Sequence, residues 1–180
     1  MKAGPKGTLT APPLDLRRFP QRGGDRCIRF IERYITVPKG TGARKRLKLR
    51  PWQREIVGGV LDEPRPRQGL VSIPAGNGKS ALAAATGLYG LLGDRVEGAQ
   101  VLVVASDERQ ARIIFNTARR MVELDKDLSA RVDIYFDRLY VPHTDSTFMA
   151  LPADPGSLQG WDPSLAVSYT HLTLPTKRIV

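Results

Sequence analysis

The stretch Ile73-Pro-Ala-Gly-Asn-Gly-Lys-Ser80 constrains this chain more than any other. It is close to the phosphate-binding pattern GxxxxGK[ST], with isoleucine where the first glycine of the pattern would stand. Such a loop needs inward-pointing backbone N–H groups, a helix N-terminus behind them and a cation over the terminal phosphates. Gly76 and Gly78 let the backbone wrap closely, Lys79 is placed to reach β and γ phosphates, and the Ser80 hydroxyl suits Mg²⁺. The inward amides are expected from Ala75, Gly76, Asn77, Gly78, Lys79 and Ser80. The flanks agree: an apolar run from Leu70 to Ile73 predicts a buried strand closed by Pro74, and a helix is expected from about Lys79 to Leu92.

That helix is apolar nearly all round, with small residues at Ala81, Ala83, Ala84, Ala85, Gly87 and Gly90. A glycine inside a helix costs about 1 kcal/mol relative to alanine, so its use here points to close approach to a sheet. Val101 to Ala105 reads as a second buried strand, and Asp107 is a cap for a helix in which Ala111, Ile114, Phe115, Ala118, Met121 and Val122 keep the helical period. Alternating strands and helices with buried strands predict an α/β fold with a parallel sheet. Further on, Val132–Phe136, Leu139–Val141 and Thr147–Leu151 read as short strands, partly antiparallel, and Leu165-Ala-Val167 as one more after a turn-rich segment. Tyr135, Phe136 and Tyr140 have the spacing of sheet packing rather than of a base-stacking platform.

Upstream, Cys27, Phe30, Ile31, Tyr34 and Ile35 define an amphipathic helix stopped by Pro38. Pro51 opens another, to about Leu61, with Trp52, Ile56 and Val60 along one side. In it lies Gln53, twenty-six residues before Lys79. A glutamine carboxamide matches N6 and N7 of adenine as donor and acceptor, although Gln53 would equally serve as a solvent-facing helix residue. Trp52 suits the core or the neighbourhood of a base.

The 180 residues suit one domain able to bury about 70% of its unfolded surface. The net charge of +10 is local: residues 1–50 hold fourteen Lys and Arg against three acids, and the remainder is nearly balanced. Residues 1–25 read as a flexible basic arm, either an electrostatic footprint for nucleic acid or a solvated tail. Cys27 has no partner for an internal disulfide, no secretory leader is visible, and the apolar run from Ala81 to Leu92 is too short to span a membrane. A reducing cytoplasmic setting is expected. His143 and His171 lack partners at zinc-ligand spacing.

The order FIERYI, PKGTG, LRPWQREIV, IPAGNGKSALAAATGLYGLL, VLVVASDERQARIIFNTARRMVE and LQGWDPSLAV resembles the N-terminal ATPase domain of a tailed-phage terminase large subunit, over residues 26–167. The resemblance implies a phosphate-loop NTPase fold of the additional-strand type, a mostly parallel sheet flanked by helices, incomplete at its C-terminus. It also implies a packaging motor that uses ATP and Mg²⁺ to drive double-stranded DNA into a prohead in the host cytoplasm, with portal, small terminase subunit and further copies of itself as partners. By the same match Lys79 contacts phosphates, Ser80 binds Mg²⁺ and Gln53 reads adenine. The family often has a basic residue where this chain has Ala75, which leaves the source of a γ-phosphate-sensing charge open. A helicase-like motor, or a nucleotide- and nucleic-acid-binding module without turnover, are the alternatives.

Hydrolysis further requires an acid at the end of a buried strand. Asp107-Glu108 follows the strand next to the loop helix, and Asp137 is followed by Arg138. The expected place is instead just beyond Val167, where the chain reads SYTHLTLPTKRIV without an acid. Residues 168–180 look like translated adapter read-through, and the catalytic acids are expected to be missing.

Overall fold

The computed structural model describes residues 11–74, 76–153, 156 and 159–169, so the first ten residues, Ala75 and residues 170–180 of the expectations above lie outside it. Two helices come first, α1 (Gly23–Tyr34) and α2 (Pro51–Leu61), then α3 (Lys79–Leu92). Strand β1 (Gln100–Ala105) leads into α4 (Glu108–Leu124) and the short α5 (Lys126–Ser129). Strands β2 (Asp133–Ile134), β3 (Arg138–Val141), β4 (Ser146–Pro152) and β5 (Leu165–Tyr169) follow. They form one sheet in the order β2-β3-β4-β1-β5. Its β4-β1-β5 part is parallel, while β2, β3 and β4 pair antiparallel.

Register explains the packing. Val101 lies opposite both Phe148 and Leu165, so the three side chains share one face of the sheet. Helix α3 meets that face through its glycines: a Cβ at Gly87 would overlap the Phe148 ring, and one at Gly90 would come within 2.8 Å of Leu165 and 3.2 Å of Val101. Helix α4 lies against the same face, its Phe115 ring 6.3 Å from that of Phe148. All six apolar positions expected on α4 are buried, and Asp107 caps the helix by accepting from the Gln110 N–H at 2.8 Å. The five apolar residues read on the first helix, Cys27 to Ile35, are likewise buried. Full burial pushes the Cys27 thiol well above the usual thiol range.

Three expectations are corrected. Leu70–Ile73 is extended but joins no strand among the described residues, and Leu70 is 99% exposed. A strand exists only where a neighbouring edge takes up its N–H and C=O groups, and apolar character alone does not supply one. On α2 the buried stripe is Gln53, Val57 and Leu61, with Trp52, Ile56 and Val60 only half-buried beside it. The stripe is one residue further along because α1 packs on that side, where a Cβ at Gly24 would lie 2.6 Å from Gly58 Cα. Residues 11–22, expected within a flexible arm, carry Leu14, Leu16 and Phe19 onto the core, and the arm's last residues, 23–25, already belong to α1. Separately, Ser168 and Tyr169, within the segment read as adapter-like, continue the β5 ladder beside Val104 and Ala105.

The basic loop between α1 and α2 is tied down by charge. Arg46 donates to the Tyr34 carbonyl at 2.7 Å and to Asp125 Oδ2 at 2.6 Å, while Asp125 Oδ1 accepts from the Leu128 N–H and starts α5. Asp125 is 4% exposed, so each of these donors offsets the cost of burying its carboxylate. No described helix is long and apolar enough to cross a membrane.

The glycines give a direct check on the helix–sheet contact. Gly59, exposed on α2 with nothing near its missing Cβ, should gain about 0.5–1 kcal/mol on Gly59→Ala from helix propensity alone. Gly87→Ala carries the same propensity gain, yet should lose roughly 1–3 kcal/mol net through overpacking against Phe148. Urea denaturation of the two variants should therefore move in opposite directions, and a stabilised Gly87→Ala would refute the packing.

Candidate nucleotide site

The loop between Ile73 and α3 takes the shape that its glycines allow. Gly76 and Gly78 both sit at left-handed φ, 82° and 76°, where an L side chain is strained. Gly78 is the residue before α3, and the helical ladder begins when the Leu82 N–H bonds the Gly78 carbonyl at 2.9 Å. The first amides of α3 thus lie at the loop, with the positive end of the helix behind them.

Lys79 is folded across the loop: its Nζ donates to the Ile73 carbonyl at 2.7 Å, bridging from the first residue of the helix to the residue before Pro74. Asn77 closes the same turn from inside, Nδ2 to the Pro74 carbonyl at 3.3 Å. A neutral carbonyl is a weak partner for an ammonium group, so an anionic oxygen entering the loop would compete for Lys79 with a charge-assisted bond. Ser80 is half-buried in the first turn of α3.

Gln53 reaches this loop from α2. Its Oε1 accepts from the Arg50 N–H at 2.9 Å, an orphan donor at the helix start, and the residue is 8% exposed. Its Nε2 then faces the loop, 3.8 Å from where a Cβ would stand on Gly78. Sequence reading identified Gln53 but missed this local role. The signal was present in the spacing: Pro51 at the first helical position makes Gln53 the third, the place from which a carboxamide reaches back to the residue before the helix.

The donor set, an ammonium, a carboxamide N–H and helix-start amides around two left-handed glycines, suits a phosphate-bearing ligand with a base alongside. Acids are not gathered here. Asp107 is engaged as the α4 cap, and Asp137 stands in the β2–β3 turn beside Arg138, whose guanidinium lies over the Tyr135 ring at 4.9 Å. Strand β5 runs parallel beside β1 and its described end carries Ser168 and Tyr169. Among the described residues no group of three or more His, Cys, Asp or Glu could hold a metal ion.

Known proteins resemble this arrangement. The family model of the terminase large subunit ATPase domain matches residues 51–173. The terminase large subunit of Enterobacteria phage HK97 is 33% identical over 148 residues, an alignment taking in 80% of this chain and 29% of that protein. The crystal structure of the HK97 bacteriophage large terminase superposes with a TM-score of 0.73 at 32% identity, covering 81% of this chain and 30% of the other. The chain therefore spans less than a third of the length of these relatives.

The two contacts of Gln53 separate by substitution. Gln53→Glu keeps the acceptor for Arg50 N–H, and its charge is favoured at a helix start, so thermal stability should change little. Gln53→Ala leaves that donor without its partner and should cost about 1 kcal/mol. Equal loss in both variants by differential scanning calorimetry would show that the carbonyl oxygen contributes nothing as a cap.

Proposed function

This chain belongs to the terminase large subunit ATPase domain family, and we propose that its loop from residue 73 to 80 binds ATP with Mg²⁺. The observation that carries this reading is the convergence of Lys79, the left-handed Gly76 and Gly78, and Gln53 Nε2 at the start of α3. In this assignment Lys79 leaves the Ile73 carbonyl for the β and γ phosphates. Amides from Ala75 to Ser80 cradle them, and the Ser80 hydroxyl is the protein's ligand to Mg²⁺. Gln53 offers Nε2 to adenine N7 while Oε1, with its second lone pair, accepts from N6.

Turnover is a separate matter. The strand position that should lead into the acids is β5, and the sequence from Ser168 onward contains none. We therefore assign nucleotide binding to this chain and hydrolysis to the longer protein. That protein acts on double-stranded DNA as a packaging ATPase, with portal, small subunit and further copies as partners in the host cytoplasm.

A fluorescent ATP analogue should bind saturably and lose at least tenfold in affinity in Lys79→Ala. Gln53→Glu should bind but no longer prefer adenine over guanine. Phosphate release should stay at background in the unsubstituted chain; robust hydrolysis abolished by Lys79→Ala would place the catalytic acids within this chain and overturn the division proposed.

For DNA, the basic loop is the part to test, because residues 11–22 help build the core. Lys39, Arg44, Lys45 and Lys48 are exposed on it. Neutralising all four should weaken duplex binding and reduce the slope of log K against log salt by up to about 4. An unchanged slope would make the loop a solvated surface.

A further inference from the structure

A second polar site lies at the other end of α3. A cavity of about 410 Å³ opens where the start of α1, the chain after α2 and the chain after α3 meet, with Arg22, Gly23, Arg65, Tyr89, Asp94 and Arg95 on its wall. The fourteen residues of α3 separate it from the loop by about 20 Å, so one ligand cannot occupy both.

Behind this wall lies Arg26, 1% exposed. Its Nε donates to the Gly93 carbonyl and its Nη1 to the Pro20 carbonyl, each at 2.8 Å, two positions along the chain from Arg95 and Arg22 respectively. Its Nη2 is buried without a hydrogen-bond partner. Burial, with Arg95 nearby, pushes the Arg26 pKa down, and Tyr89 and Asp94 counter it only in part.

The wall also carries the carboxylates of Glu63 and Asp94, and these, like Asp62 nearby, are each hydrogen-bonded within the chain. Asp62 accepts from the Gly24 N–H at 2.7 Å, Glu63 from the Arg65 N–H at 3.1 Å, and Asp94 from the Tyr89 hydroxyl at 3.1 Å with Arg65 at 3.8 Å. By contrast the exposed Arg22 and Arg95 side chains make no hydrogen bond or ion pair among the described residues. Arg95 also keeps a left-handed φ of 59°, a conformation that favours glycine. A guanidinium held at a strained position on a cavity wall, with nothing to bind, is what a site for an incoming anion would retain.

We propose that this cavity is an anion site for a phosphate group, bound between Arg22 and Arg95 with the buried charge of Arg26 behind them, and distinct from the loop at Lys79. The phosphate belongs either to a DNA backbone or to a free phosphorylated compound. The proposal does not depend on what the loop binds.

Pyrophosphate titrated into the 180-residue chain carrying Lys79→Ala, which removes the loop's cation, tests it. Saturable binding should persist, with ¹⁵N amide shifts at Gly23 and Arg95. Adding Arg95→Gly should weaken it at least tenfold while leaving the protein no less stable, since glycine relieves the backbone. Arg22→Ala, whose side chain caps nothing, should weaken it as well. If short duplex DNA loses affinity in the same variants, the phosphate is the DNA's; if duplex binding is unmoved while pyrophosphate binding falls, it is a free compound's. No saturable pyrophosphate binding in the Lys79→Ala chain, or binding indifferent to both arginines, overturns the proposal.

Discussion

The contact between α3 and the sheet, made where Gly87 and Gly90 bare the helix backbone to Phe148, Val101 and Leu165, is the one on which the rest of the structure depends. A side chain at either glycine would hold the helix off the sheet. Because the contact is made in the middle of the helix, it fixes both ends. The N-terminal end sets Gly78 and Lys79 at the glycine loop, and the C-terminal end brings Tyr89 and residues 93–96 beside the start of α1. The helix is a rigid strut between two polar regions, anchored by dispersion and apolar burial rather than by charge.

Charge does different work around that strut. Asp125 is buried with two functions, capping α5 and receiving Arg46, so the basic loop is attached to the core by the one cation that faces inward while Lys39, Arg44, Lys45 and Lys48 face water. Arg26 is buried too, but one of its donors is left over. A single class of residue, read from composition as an electrostatic arm, thus divides into anchors and free surface charge. What distinguishes the two is the partner each one meets, since Arg46 is itself exposed.

Much of the helical part was legible because periodicity reports a face directly. The apolar positions of α1 and α4 emerged buried as read, and the glycines of α3 meant close approach. In the loop, the tight wrap at Gly76 and Gly78 was legible by residue type, and the fold brings Gln53 Nε2 to it across 25 positions of sequence. Not legible were the bond from Lys79 to the Ile73 carbonyl, the Gln53 cap on Arg50, and the inward turn of Leu14, Leu16 and Phe19. Those depend on which polar atom or apolar surface lies nearby, and a linear pattern does not carry that information.

By itself, then, the sequence determined the helices, the left-handed glycines of the loop and the residue types able to meet a phosphate, because each follows from local backbone preference or from the period of apolar residues. Pairing was decided only in the tertiary structure. Leu165–Tyr169 became a strand because β1 offered it an edge, whereas the equally apolar Leu70–Ile73 stayed extended and exposed among the described residues. The physical reason is that a strand's hydrogen bonds belong to two segments at once, so its existence is a property of the assembled sheet.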